Sequence, residues 1–175
     1  MNFIDYDFKK ISTFIFDVDG VLTDGTLLAL ESGEQARTFH IRDGFGIEKA
    51  LQAGYRVAII SGGNQMGVRK RLEFLKVPYI YLGVATDRKL EVFKQFIQEH
   101  GLAQEEILYM GDDMPDYEVL KTGVLATCPQ DAMPDIQALC HYISPFSGGR
   151  GAVRDVIERV MRDQGKWILV PSEEK

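Results

Sequence analysis

Cysteine is scarce in this chain, with Cys128 and Cys140 the only two. Without a recognisable secretion signal such a pair reads as small apolar residues rather than a disulfide, and neither is given a chemical role. Long apolar runs are missing as well. The opening stretch MNFIDYDFKK carries two acids, and no later segment has the length needed to cross a bilayer. A cytoplasmic protein without membrane contacts is expected. Net positive charge is lacking too: 26 acids against 20 Lys and Arg give a formal charge of −6. That balance excludes a surface built to coat nucleic acid. There is no internal repeat and no low-complexity segment, and 175 residues leave little room beyond one domain, taken as residues 1–175. An acidic protein repels anions at long range, so any phosphate site here must gather Lys, Arg or a metal locally.

What is present is a rhythm of short apolar runs, each followed by a helical pattern. The runs are 11–16, 55–60, 79–82, 107–110, 124–126 and 142–143. Between them lie apolar stripes at helical spacing: Ile47, Ala50 and Leu51; Val68, Leu72 and Leu75; Leu90, Phe93 and Ile97; and finally Val153, Val156, Ile157 and Val160. Gly54, Gly101 and Gly123 mark helix ends. The pattern predicts an α/β fold, a doubly wound, Rossmann-like parallel sheet. One stretch breaks the alternation. Residues 26–30 and 35–41 flank the turn residues 31–34 and read as a β-hairpin placed directly after the first strand. That hairpin should sit at the carboxyl edge of the sheet, where doubly wound folds bind ligands.

Chemistry concentrates at the ends of the apolar runs. Phe14-Ile15-Phe16 stops abruptly at Asp17-Val18-Asp19-Gly20. Residues i and i+2 of an extended chain point the same way, so Asp17 and Asp19 can address one site. Ser61 closes the next run in Ile60-Ser61-Gly62-Gly63, and Asp112, Asp113 and Asp116 follow 107–110 in Gly111-Asp112-Asp113-Met114-Pro115-Asp116. Lys89 opens a predicted helix between them. Singly these have plain structural readings: a polar turn, a capping serine, a solvated lysine, acids at a helix amino terminus. Together they would place several carboxylates at one edge, where mutual repulsion calls for a cation. An oxygen-only set with no His or Cys points to Mg2+. Magnesium and Lys89 could then neutralise a phosphate while Ser61 donates a hydrogen bond. Asp17 could attack phosphorus, and Asp19 could protonate the leaving alcohol and later deprotonate the hydrolytic water.

The order D-x-D-G-V, then S-G, then Lys, then G-D-D-x-x-D resembles the haloacid dehalogenase superfamily of phosphatases. Phe39–Ile47 and Gly148–Arg154 are further similar to its 3-deoxy-D-manno-octulosonate 8-phosphate (KDO 8-phosphate) phosphatase branch, a likeness running from about 14 to 159. The resemblance implies Asp17 as nucleophile, Asp19 as acid and base, and Ser61 and Lys89 as phosphate ligands. It also implies magnesium held by the Asp17 carboxylate, the Asp19 backbone carbonyl and Asp112, while Asp113 and Asp116 exchange ligand and supporting roles among members. The branch lacks an inserted cap domain. It forms homotetramers in which hairpins meet centrally and a neighbouring subunit helps cover each site, so residues 21–41 are expected to be that hairpin. Substrate is expected to be a small sugar-acid phosphate met in part by Gly62, Arg71 and Arg150. Arg71 and Arg69 resemble the position from which the family meets the carboxylate of the sugar acid; Arg69 reads rather as basic solvent face, Arg71 is open between the two, and Arg150 could project into a site or merely shape its loop. The apolar tail 167–170 either docks on a neighbour or frays. Gly63 replaces a long charged residue common in relatives, and the glutamate and lysine typical of enzymes acting on the 9-phosphate of the nonulosonic acid KDN are absent, which leans towards KDO 8-phosphate. A receiver-like signalling module would carry its phospho-acceptor on a later strand, and a silent regulatory domain is disfavoured because no motif residue is lost.

Overall fold

The computed structural model describes residues 8–167. Its centre is a parallel sheet of six strands: β1 (Thr13–Phe16), β4 (Arg56–Ser61), β5 (Tyr79–Leu82), β6 (Ile107–Met110), β7 (Leu125–Cys128) and β8 (Tyr142–Ile143). They lie in the order β5-β4-β1-β6-β7-β8. The chain therefore winds outwards from β1 in one direction and then, after β5, returns to the other side of β1. The connection reverses between β1 and β6, and in open α/β sheets a crevice opens there at the carboxyl ends of the strands.

Strand residues alternate between two cores. Phe14, Phe16, Val57, Ile59, Leu108 and Met110 face α1 (Ile41–Gln52), α2 (Met66–Phe74) and α6 (Ala152–Asp163). Ile15, Ala58, Ile60, Ile107 and Tyr109 face α3 (Lys89–His100), α4 (Tyr117–Leu120) and α5 (Pro134–Gln137). Both faces are covered, which explains why these strands read as continuous apolar runs rather than alternating ones. Each large side chain buried this way contributes about 1.5–3 kcal/mol. The doubly wound α/β architecture expected from the sequence is what is found. Strand limits shift by one or two residues, as with β1, which begins at Thr13, and β4, which extends to Ser61.

The hairpin is present but short: β2 (Leu28–Ala29) pairs antiparallel with β3 (Gln35–Ala36). The expected second strand ran to Ile41, yet Ile41 begins α1. Both hairpin strands are exposed and, among the described residues, have no third strand beside them, so little holds a longer ladder together. The motif Phe39–Ile47 is explained by helix packing. Asp43 on α1 is buried, and its carboxylate accepts from the backbone N–H of Gly151 at 3.2 Å and of Arg154 at 2.8 Å, capping α6 from a neighbouring helix. Trp167 packs on the same subunit, edge-on to Phe45 at 6.5 Å with the Arg154 guanidinium 4.4 Å from its ring; residues 168–170 of the expected tail lie outside the described residues. Cys128 and Cys140 are free thiols.

Candidate active site

A cleft of about 370 Å³ opens at the carboxyl ends of β1, β4 and β6 and is lined by Asp17, Asp19, Ser61, Gly62, Lys89, Asp112 and Asp113. Seven of the residues singled out in the sequence thus share one cavity. Size alone does not locate the chemistry. A larger cleft of about 710 Å³ runs along α6 and carries Arg42, Arg150, Arg154 and Arg159. Among the described residues, however, the acids that could hold a metal ion are Asp17, Asp112 and Asp116, with one oxygen from each within 4.8 Å of the others.

Each side chain has a local reason for its place. Asp17 follows β1, where the apolar strand ends. Its Oδ1 accepts from the Val18 N–H at 2.6 Å and its Oδ2 from Lys89 Nζ at 2.8 Å, so both oxygens are oriented. Lys89 stands at the start of α3 and is 2% exposed; Nζ also donates to Asp116 Oδ1 at 2.7 Å. Burial alone would push this ammonium down, but Asp17 and Asp116 outweigh it and hold the pKa above the usual lysine value. The backbone at Gly20 has φ +81°, and a Cβ there would collide with the Asp112 carboxylate. A glycine is therefore needed for the β1 loop and the β6 loop to meet. Gly148 and Gly149 lie equally close to the backbone of Gly20 and Thr23, which ties the Gly148–Arg154 motif to the base of the β1 loop.

Asp113 and Asp116, which the sequence leaves interchangeable, differ sharply in place. The Asp113 carboxylate accepts from its neighbour Met114 N–H at 2.7 Å and caps a 3-10 turn. Asp116 is buried and accepts from Lys89, from the Tyr109 hydroxyl at 2.6 Å and from the Asp112 N–H at 3.4 Å. Burial first, then the nearby Asp17 charge, raises its pKa. Asp112 is pushed up to about 8 by burial and by the Asp17 and Asp116 charges. Carboxylates so reluctant to ionise together fit a divalent cation, whose charge would remove the conflict. Ser61 is 1% exposed at the end of β4, with its Oγ accepting from the Gly63 N–H at 3.4 Å.

Arg71 and Arg150 do not line this cleft. The Arg71 guanidinium lies over Gly44 of α1 and above the Phe74 ring at 5.7 Å, while Arg150 reaches Asp24 at 3.3 Å. Three further residues meet the site without any signal in the sequence. Tyr109 is hidden in a strand, and Thr86 lines the cleft from the loop before α3. Arg37, just beyond β3, grips Asp19 through two bonds, Nε to Oδ1 at 2.6 Å and Nη2 to Oδ2 at 3.0 Å. None belongs to a short motif, so only proximity finds them.

No family model matches the chain. The KDO 8-phosphate phosphatase KdsC of Escherichia coli K12 is 36% identical over 158 residues, covering 90% of this chain and 83% of that protein. Among solved structures, KDO 8-phosphate phosphatase from Moraxella catarrhalis, in complex with magnesium, phosphate and KDO, is 30% identical, covers 90% of each chain and superposes with a TM-score of 0.86. The cobalt-bound form of deoxy-D-mannose-octulosonate 8-phosphate phosphatase from Haemophilus influenzae is 30% identical, covers 90% of this chain and 91% of that one, and gives a TM-score of 0.83. With the sheet order, the acid cluster and these relatives together, the chain belongs to the KDO 8-phosphate phosphatase family of the haloacid dehalogenase superfamily and is a phosphomonoester hydrolase.

Proposed function

We propose that the protein hydrolyses KDO 8-phosphate to KDO and inorganic phosphate through an aspartyl-phosphate on Asp17, supplying KDO for lipopolysaccharide synthesis in the cytoplasm. The observation that carries this reading is the oriented Asp17 carboxylate on the floor of a cleft it shares with Lys89, Ser61 and Asp112. Asp17 attacks phosphorus; the bond to the sugar oxygen breaks, and Asp19 gives that oxygen a proton. Asp19 then takes a proton from water as it attacks the aspartyl-phosphate, releasing phosphate and restoring Asp17. Lys89 and Ser61 bind phosphate oxygens, Asp112 and Asp17 with the Asp19 carbonyl would hold Mg2+, and Asp116 and Asp113 would support them. Bound magnesium would supply charge neutralisation at the phosphate. A relative bound to magnesium and KDO supports both ligand choices.

The single domain is proposed to act as a homotetramer whose neighbouring subunit helps cover the cleft. Exposed Leu27, Leu28 and Leu30 on the hairpin support this, because an apolar surface of that kind is best accounted for by a second copy. Arg71 and Arg150 could then act across subunits. The test is phosphate release with magnesium from KDO 8-phosphate, KDN 9-phosphate and hexose phosphates. KDO 8-phosphate should give the highest kcat/KM. Asp17→Asn should lose activity by about 10³-fold or more while keeping its circular dichroism spectrum. Retained turnover in that variant would sink the mechanism, and a preference for KDN 9-phosphate would move the substrate.

A further inference from the structure

The two carboxylates of the β1 loop are steadied very differently. Both oxygens of Asp17 have partners, in the loop itself and on α3. The Asp19 side chain is 40% exposed, and among the described residues its carboxylate is held by Arg37 alone, Nε to Oδ1 at 2.6 Å and Nη2 to Oδ2 at 3.0 Å. An aspartate so exposed has several rotamers open to it unless a partner selects one. Arg37 can be that partner because it is itself fixed. Its side chain is 6% exposed, and Nη1 donates back to the Gln35 carbonyl at 3.5 Å. The Gln35 side chain in turn accepts from Gln65 Nε2 at 3.0 Å, which braces the end of the hairpin on the start of α2. A Cβ at Gly63 would lie 3.1 Å from Gln65 Oε1 and 3.3 Å from Asp19 Oδ2, so a glycine there lets the brace and the carboxylate come up close to the loop after Ser61. Asp19 lines the cleft, whereas Arg37 stands behind it, away from the bound phosphate.

We propose that Arg37 is a positioning residue: reaching in from the hairpin, it holds the Asp19 carboxylate in the orientation that serves the leaving oxygen and then the hydrolytic water. The inference rests on the functional reading above and concerns only how its acid and base is placed. Each carboxylate oxygen accepts at two positions, so the fork leaves one on each oxygen for the proton in transit, and Asp19 works without letting go. Letting go would strand a nearly buried guanidinium, which is strongly unfavourable. A planar fork fixes the plane of the carboxylate as a lysine ammonium cannot. Proton transfer is sensitive to that plane, because the group must lie within hydrogen-bond reach of the atom it serves.

The experiment measures kcat/KM with magnesium for two substrates. The leaving oxygen of KDO 8-phosphate departs as an alkoxide and needs a proton, whereas that of p-nitrophenyl phosphate departs as a stable phenolate and does not. In Arg37→Met the value for KDO 8-phosphate should fall by about 10- to 100-fold, the scale of a charge-assisted hydrogen bond, with little change for p-nitrophenyl phosphate. Arg37→Lys, which keeps the charge without the fork, should lie between wild type and Arg37→Met. Asp19→Asn should show the same selective loss, and adding Arg37→Met to it should cost nothing further, because the two residues act as one unit. Equal losses on both substrates would reduce Arg37 to a structural role. Losses that multiply in the double variant, or undiminished turnover of KDO 8-phosphate in Arg37→Met, would also overturn the proposal. Wild-type protein that releases no phosphate from KDO 8-phosphate would instead overturn the functional reading, and this one with it.

Discussion

At the floor of the cleft one ammonium balances two carboxylates, and the geometry leaves it no substitute. Lys89 Nζ is 2.8 Å from Asp17 and 2.7 Å from Asp116, with both partners buried. Such an arrangement costs desolvation when formed and more when broken, because removing one partner strands the others. Lys89→Met should therefore abolish turnover and, in metal-free protein, lower unfolding free energy by about 3–5 kcal/mol. Urea unfolding in chelator measures the second effect, and an unchanged midpoint would mean that Asp17 and Asp116 are already relieved by other groups. Added metal should return part of the loss, since it supplies positive charge to the same oxygens. Tyr109 belongs to this network through its hydroxyl, which burial and the Asp116 charge keep protonated by raising its pKa well above the ordinary value.

Among the elements, the hairpin is the least self-sufficient. Its ladder is two residues on each side, and Leu28 is 62% exposed on it. A pair of strands this short is marginal alone and gains stability by packing against others. The same hairpin leads into Arg37 and so bears on Asp19, and the proposed assembly through it would bear on the cleft. Leu28→Asp should shift the sedimentation behaviour from a tetramer to smaller species and raise KM for the sugar acid, without lowering the stability of the subunit. A tetramer that survives the added charge would place the interface elsewhere. The helices, by contrast, are tied to the sheet on both faces, and α1 and α6 are joined by the buried Asp43 cap.

For the molecule as a whole, net charge and site charge have the same sign, and metal is the natural correction. The raised pKa of Asp112, about 8 against 3.8, sets the direction of the pH dependence. Metal-free folded protein holds a proton that the unfolded chain releases near pH 4, so its stability falls as pH rises from about 4 to about 8. Magnesium held by Asp112, as proposed, would displace that proton, so its affinity should rise over the upper part of this window. The gain in Tm on adding magnesium to chelator-treated protein should therefore grow from pH 6 to pH 8.5. At a hundredfold excess over Kd the stabilisation is about 2.7 kcal/mol. An increment independent of pH would remove Asp112 from the metal.

Much of this was legible in the amino-acid order because local geometry carries it. Apolar runs of strand length and helical stripes define the layers by their period alone, and Asp17, Ser61 and Asp112 stand out because each ends a buried strand where a side chain with no packing use must have another. Lys89 could be named only by its place in the order of motifs, since a lysine at a helix start is ordinary until its surroundings are known. What only the tertiary structure decided involves partners far apart in the chain. The pairing of Arg37 with Asp19 depends on where the hairpin folds back, the difference between Asp113 and Asp116 on which side of a short turn faces the core, and the cap of Asp43 on the approach of two helices more than 100 residues apart in sequence. Sequence period records which face a residue takes, but not what meets it there; that contact is set by chain closure over long distances, to which no local pattern answers.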